Sequence, residues 1–326
     1  MPPSTMIRAM TTALAVSAAA GAAQLGIGYG LGIFSWLPTV RGVDEAAWLA
    51  SLAWTVWISA TSVVVGTIAG DRVARPTVAM SPVSRALWLS RALWRSVLAL
   101  AAAMGGLVVV ALTALPARVA QPADTSAPHL IVGGYAIAGV LLGLLVSLAA
   151  VNARPIAANV LVTAAWLWLL AVVARVDNLA AHGEVKVAQL GVWQFTGGGP
   201  WFHSIYLPGA ALAAGSALLI GAFAAWPAAH HGSGPATVAL SGAAGPAMVS
   251  LAYLMAAPVL TDVKPEQLSA HLVAPYAVLA GLAGSVLVAL LTRATRARSS
   301  SPAGRTDHDK TAEVSPAKAQ VAGDPV

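Results

Sequence analysis

LIVGGYAIAGVLLGLLVSLAAVNARPIAANVLVTAAWLWLLAVVA, residues 130–174, decides how the rest of the chain reads. Two apolar runs, 130–152 and 156–174, are separated only by Ala153, Arg154 and Pro155. Crossing about 30 Å of hydrocarbon takes roughly 20 apolar residues in a helix. Both runs reach that length, and so short a break makes them antiparallel neighbours.

Working outward, runs of similar length recur at 9–37, 46–70, 94–115, 206–227, 236–260 and 272–292. They predict an all-α polytopic bundle of eight spans within residues 1–297. The first run begins like a secretory signal, with Arg8 before an alanine-rich stretch and small residues from Ala20 to Ala23. It continues to Leu37, longer than a signal core, and so reads as an uncleaved span. Residues 298–326 are polar, rich in Ser, Pro and Ala and free of aromatics, the pattern of a disordered tail.

Composition agrees. Hydrophobic residues make up 58% of the chain, charged residues 9%, and mean hydropathy is +0.77. A water-soluble domain carries about 25% charged residues to cover its surface. Cysteine is absent, which excludes disulfides, thiolate metal sites and a cysteine nucleophile. The net charge of +6 could point to nucleic acid, but topology accounts for it better.

With the N-terminus inside, the cytoplasmic face collects Arg8, Arg72, Arg75, Arg85, Arg91, Arg95, Arg154, Arg293, Arg296, Arg298, Arg305, Lys310 and Lys318. These are 13 of the 18 cations; Arg41, Arg118, Arg175, Lys186 and Lys264 stay outside. The positive-inside bias therefore predicts both termini in the cytoplasm of a cell-membrane protein. Trp36, Trp48, Trp193 and Trp201 fall at the outer interface and Trp88, Trp94 and Trp226 at the inner one, as an aromatic belt requires. SRALW occurs twice within 84–94 and reads as an interfacial lead-in to the third span, with a nucleic-acid grip as the weaker reading.

No acid or base falls in the middle of a predicted span. Buried ionisable groups mark proton relays and ion pathways, so their absence argues against a proton-driven pump and against catalysis by paired acids. The polar residues inside spans are milder: Gln24, Asn159 and scattered Ser and Thr, for which interhelical hydrogen bonding is the first explanation. Gly26/Gly30, Gly28/Gly32, Gly66/Gly70 and Gly139/Gly143 have GxxxG spacing, and Ala18 and Ala22 extend the first row; helix packing is the default reading. Paired interruptions at Gly105–Gly106 and at Gly245–Pro246 are the best sequence pointer to a midplane solute path, against plain kinks. A speculative path would include Gln24, Gly105, Gly106, Asn159, Gly245 and Pro246.

The segment from Arg175 to Ile205 is too apolar for a freely solvated loop and is expected to fold back as a cap or lid. Trp193, Trp201 and His203 are its candidate contacts with a partner. His129, His182, His203 and His271 lack metal-ligand spacing, so no metal and no cofactor is expected.

LGIGYGLGIFSWLP (25–38), WTVWISATSVVVG (54–66), WLWLLA (166–171) and LGVW (190–193) resemble uncharacterised multi-pass membrane proteins of actinobacteria. The resemblance implies a membrane fold and carries no activity with it. The leading expectation is a non-enzymatic envelope scaffold or accessory subunit, with the lipid bilayer and an envelope protein as partners and no nucleic acid. A permease for a neutral or lipophilic solute comes next, and a membrane-embedded enzyme third.

Overall fold

The computed structural model describes residues 3–33, 36, 45–74, 85–120, 126–180, 188–192, 207–256 and 265–300. Among them the elements are α1 (Pro3–Gly30), α2 (Glu45–Ala74), α3 (Arg85–Ala114), a 3-10 turn at Pro116–Val119, α4 (Pro128–Asn152) and α5 (Arg154–Ala180). They continue with α6 (Leu207–His230), α7 (Pro235–Ser241), α8 (Ala244–Ala256) and α9 (Pro265–Ser300). No strand occurs among the described residues. Seven helices are long and apolar enough to cross a membrane, or eight with α7 and α8 taken as one span bent by 45°. The surface matches. Leu219 is 67% and Phe223 80% exposed, with Leu100, Met104 and Leu145 exposed on other helices. Water would oppose that exposure at about 25 cal/mol per Å² of apolar area, whereas lipid does not. The chain is a multi-pass helical membrane protein.

The bundle is organised around α2, which is buried along almost its whole length by α1, α3 and α4 on one side and α5 and α8 on the other. The α6, α7 and α9 helices pack mainly on each other, and α5 and α8 join them to the first group. A single apolar core runs through both, from Leu25 and Trp54 to Leu190, Met248 and Tyr253.

Backbones approach closely where small residues stand. A methyl on Gly139 or Gly143 of α4 would lie 2.5 Å from the carbonyl oxygen of Val56 or Ala60 on α2. Gly66 of α2 meets the Ala13 carbonyl oxygen of α1 in the same way. Gly26 and Gly30, by contrast, face open space. The row of α1 that packs is Ala9, Ala13, Ser17 and Gly21, one residue round from the expected Ala18–Ala22–Gly26–Gly30 row. Gln24 sets that rotation. It lies on the Ser17–Gly21 face, and lipid would leave its amide unbonded.

Several other expectations are corrected. The first helix ends at Gly30, not 37. The third starts at Arg85, so most of the SRALW repeat is already helix. The last runs through Ser300, three residues into the expected tail, and residues 301–326 lie outside the described residues. Trp36 and Trp48 do not sit in a lipid-facing belt. Both are buried edge-to-face at 5.3 Å, with Trp36 Nε1 donating to Tyr29 Oη at 2.7 Å. Most helix hydroxyls bond within their own helix rather than across helices. Thr55, Thr61, Ser62 and Thr67 each donate to the carbonyl four residues back. A hydroxyl reaches that carbonyl without a partner helix, so local bonding wins.

Packing at the α2–α4 seam can be tested by substitutions of opposite sign. Gly143→Ala should lower stability by about 1–3 kcal/mol, because its methyl meets backbone that cannot give way. Gly134→Ala, where nothing stands within 4 Å, should be neutral or stabilising by up to about 1 kcal/mol. Unfolding in mixed micelles measures both, and equal effects would refute the seam.

Candidate functional site

The seventh span is broken, and one buried amide bonds both sides of the break. α7 ends at Ser241 and α8 begins at Ala244, leaving unpaired carbonyls on one side and unpaired N–H groups on the other. Asn159, on α5 and fully buried, serves both. Its Oδ1 accepts from the Gly245 N–H at 2.7 Å, and its Nδ2 donates to the Gly242 carbonyl at 3.4 Å. Pro246 is not the breaking residue. It sits in the first turn of α8, where the missing N–H costs nothing, while the chain turns at Gly242–Ala243. Only a residue without a side chain fits at 245, because Thr163 Oγ1 and Asn159 Oδ1 fill the place of its Cβ. Gly242 is also in backbone contact with Gly281 of α9, and Ser285 Oγ donates to the Ala239 carbonyl at 2.5 Å.

Beside the break a cavity of about 490 Å³, its open side included, lies between α5, α6, α8 and α9. Thr163, Trp166 and Leu167 come from α5 and Ala213, Ser216, Ala217 and Ile220 from α6. Pro246, Val249 and Tyr253 come from α8, and Ala270, Val273, Ala274 and Ala277 from α9. Leu190, Gly191 and Val192 close one side. The interior is narrow, with room for a few water-sized groups, which suits a slender molecule.

The 188–192 segment is tied down from both halves of the bundle. Trp54 Nε1 of α2 donates to the Ala188 carbonyl at 2.9 Å, and Tyr253 Oη of α8 to the Leu190 carbonyl at 2.5 Å. Gly191 has φ +74°, the left-handed region where a side chain is strained, and it turns the segment over Leu167. This part of the long segment does pack onto the bundle. Trp193, Trp201 and His203 lie outside the described residues.

The lining is apolar except for four polar groups, one of them the Tyr253 phenol already bonded to Leu190. Ser216 Oγ bonds the Ala213 carbonyl. Thr163 Oγ1 and Trp166 Nε1 are buried and have no hydrogen-bond partner, although Thr163 is only 4% exposed. A buried polar group left unbonded costs about 1–3 kcal/mol, which an acceptor on a bound molecule would offset. A lining of this composition disfavours charged groups, which would have no partner in it.

The remaining sequence candidates fall elsewhere. Gln24 belongs to a separate polar node joining α1, α2 and α5. Its Oε1 accepts from Trp168 Nε1 (3.0 Å) and lies 3.2 Å from Thr61 Oγ1, and its Nε2 donates to Ser62 Oγ (3.2 Å) and the Ala20 carbonyl (3.2 Å). Gly105 and Gly106 lie within an unbroken α3, against the Leu14 backbone of α1 and Val63 of α2. Of the expected path, the structure brings together Asn159, Gly245 and Pro246. Sequence reading passed over Trp166 and the small residues of α6 and α9. The signal was present in Ala270, Val273, Ala274 and Ala277, whose i, i+3, i+4, i+7 spacing marks one helix face. Small faces read as packing, and this one borders a cavity instead.

Replacing Asn159 by Ala should destabilise the protein by about 1–3 kcal/mol for each backbone group left unbonded in apolar surroundings. Chemical unfolding in mixed micelles reads this. A loss no larger than that of Thr11→Ala, whose hydroxyl is exposed, would show that the amide does not hold the break. Comparison of the chain with protein families, with curated proteins and with solved structures gives no match.

Proposed function

We propose that this is a non-enzymatic cell-membrane protein, with both termini cytoplasmic, that binds a neutral lipophilic molecule between α5, α6, α8 and α9 and serves as its permease. The observation that carries the reading is the pair of unpartnered polar atoms, Thr163 Oγ1 and Trp166 Nε1, on residues that line a mostly apolar cavity beside a broken helix. A lining whose one ionisable group, the Tyr253 phenol, is already bonded to Leu190 favours binding over catalysis. Interrupted helices near the midplane are where carriers place their sites. The cell-membrane location is supported by the distribution of lysine and arginine and by the resemblance of 25–38 and 54–66 to actinobacterial multi-pass membrane proteins.

One observation favours a second reading, an envelope scaffold. The α1–α4 helices are closed by backbone contact and by a saturated Gln24, so that half offers a rigid frame rather than a path.

Filling the cavity separates the two. Ala217→Val should keep the fold, since its two added methyls fit the narrow interior. It should also abolish retention of a lipophilic molecule detected by mass spectrometry of the purified protein, together with solute flux in proteoliposomes. Unchanged retention and flux would refute the permease reading and leave the scaffold.

Topology has its own test, because the chain has no cysteine to remove. Ser126→Cys, before α4, should be labelled by an impermeant maleimide only from outside, and Ser233→Cys, after α6, only from inside. The opposite pattern would invert the orientation.

A further inference from the structure

A second hollow lies where α2 ends and α4 turns into α5, apart from the cavity at Thr163. Its cavity volume is about 370 Å³, within the ~300–1,000 Å³ range of ligand pockets. Its floor is apolar, formed by Ile68, Ala158, Leu161 and Val162, and its rim carries Asp71, Arg72 and Arg154.

The charges of the rim are unequal in their commitments. Asp71 is buried, and its Oδ1 lies 4.0 Å from Nε of Arg95 on α3. The same guanidinium donates through Nη1 to Asn152 Oδ1 at 2.5 Å. Arg72 and Arg154 are exposed and have no hydrogen bond or ion pair among the described residues. Three arginines (72, 95 and 154) against one aspartate leave two positive charges, and they belong to the uncommitted pair. Two guanidiniums on separate helices suit a phosphate, whose oxygens accept paired N–H donors.

The floor narrows the ligand further. Val162 is 40% exposed, so the hollow opens onto the outer, lipid-facing side of α5. A molecule that satisfies both parts has a phosphate at the membrane surface and a hydrocarbon chain below it. Basic pockets between transmembrane helices are a known form of anionic-lipid site. We propose that Arg72 and Arg154 hold the phosphate of an anionic phospholipid whose acyl chain lies over Ala158, Leu161 and Val162.

The test uses the purified full-length chain in a neutral detergent, with phosphatidylglycerol, phosphatidylcholine or inorganic phosphate added. Native mass spectrometry counts bound lipid, and thermal unfolding reads stabilisation. Phosphatidylglycerol should be retained at least about tenfold better than phosphatidylcholine, and Arg72→Gln with Arg154→Gln should remove that preference. Ala158→Trp, with both arginines intact, should displace the lipid by filling the floor; it carries the test if the double variant does not fold. Arg8→Gln, at the start of α1, should change nothing.

Three results would overturn the proposal: equal retention of phosphatidylglycerol by wild type and by either altered hollow, an equal loss with Arg8→Gln, or equal stabilisation by inorganic phosphate. The second would mean a diffuse effect of charge, and the third a free-phosphate site.

Discussion

The constraint behind this structure is that hydrocarbon offers no hydrogen bonds. An amide, hydroxyl or broken helix end inside the membrane is costly unless the protein itself serves it. Two carboxamides show how far that requirement reaches. Gln24 binds groups on α2 and α5 and so sets the rotation of α1. Asn159 binds both sides of a helix break and so makes a bent span stable. Among the described residues, the hydrogen-bond partners of both amides are uncharged groups. Hydroxyls meet the same demand more cheaply, by bonding the preceding turn of their own helix.

These two amides divide the molecule by character. Around Gln24 the α1–α4 helices touch backbone to backbone through Gly66, Gly105, Gly139 and Gly143, and α2 is enclosed. Around Asn159 the contacts are also close at Gly242 and Gly281, but they hold a bend rather than a continuous rod. A bent rod cannot fill the space that a straight one would, and the cavity between α5, α6, α8 and α9 lies beside it. Long helices are also finished by side chains: Arg296, near the end of α9, donates to the carbonyls of Ala229 and His230 that close α6.

The number and approximate place of the spans were legible in the sequence because span length is a one-dimensional property. Charges gather at helix ends for the same reason, and Asp71, although buried, lies in the last turn of α2. Rotation was less legible. Residues 17 and 18 of α1 belong to equally good small-residue rows, and only the partners of Gln24 choose between them. The candidate site was half legible: Asn159, Gly245 and Pro246 stood out as a polar group and an interruption. Their joining depended on pairing α5 with α8, which no local pattern encodes. Trp166 remained hidden because a tryptophan in an apolar helix carries no sign that its N–H lacks a partner.

The enclosure of α2 bears on how the protein is made. It leaves the ribosome before two of the neighbours that cover it, α5 and α8. Until both are made, the part of α2 that they bury lacks its final cover. The last steps of assembly are therefore a closing of late helices over an early one, and a chain stopped before α8 would keep the centre of the finished molecule on its outside.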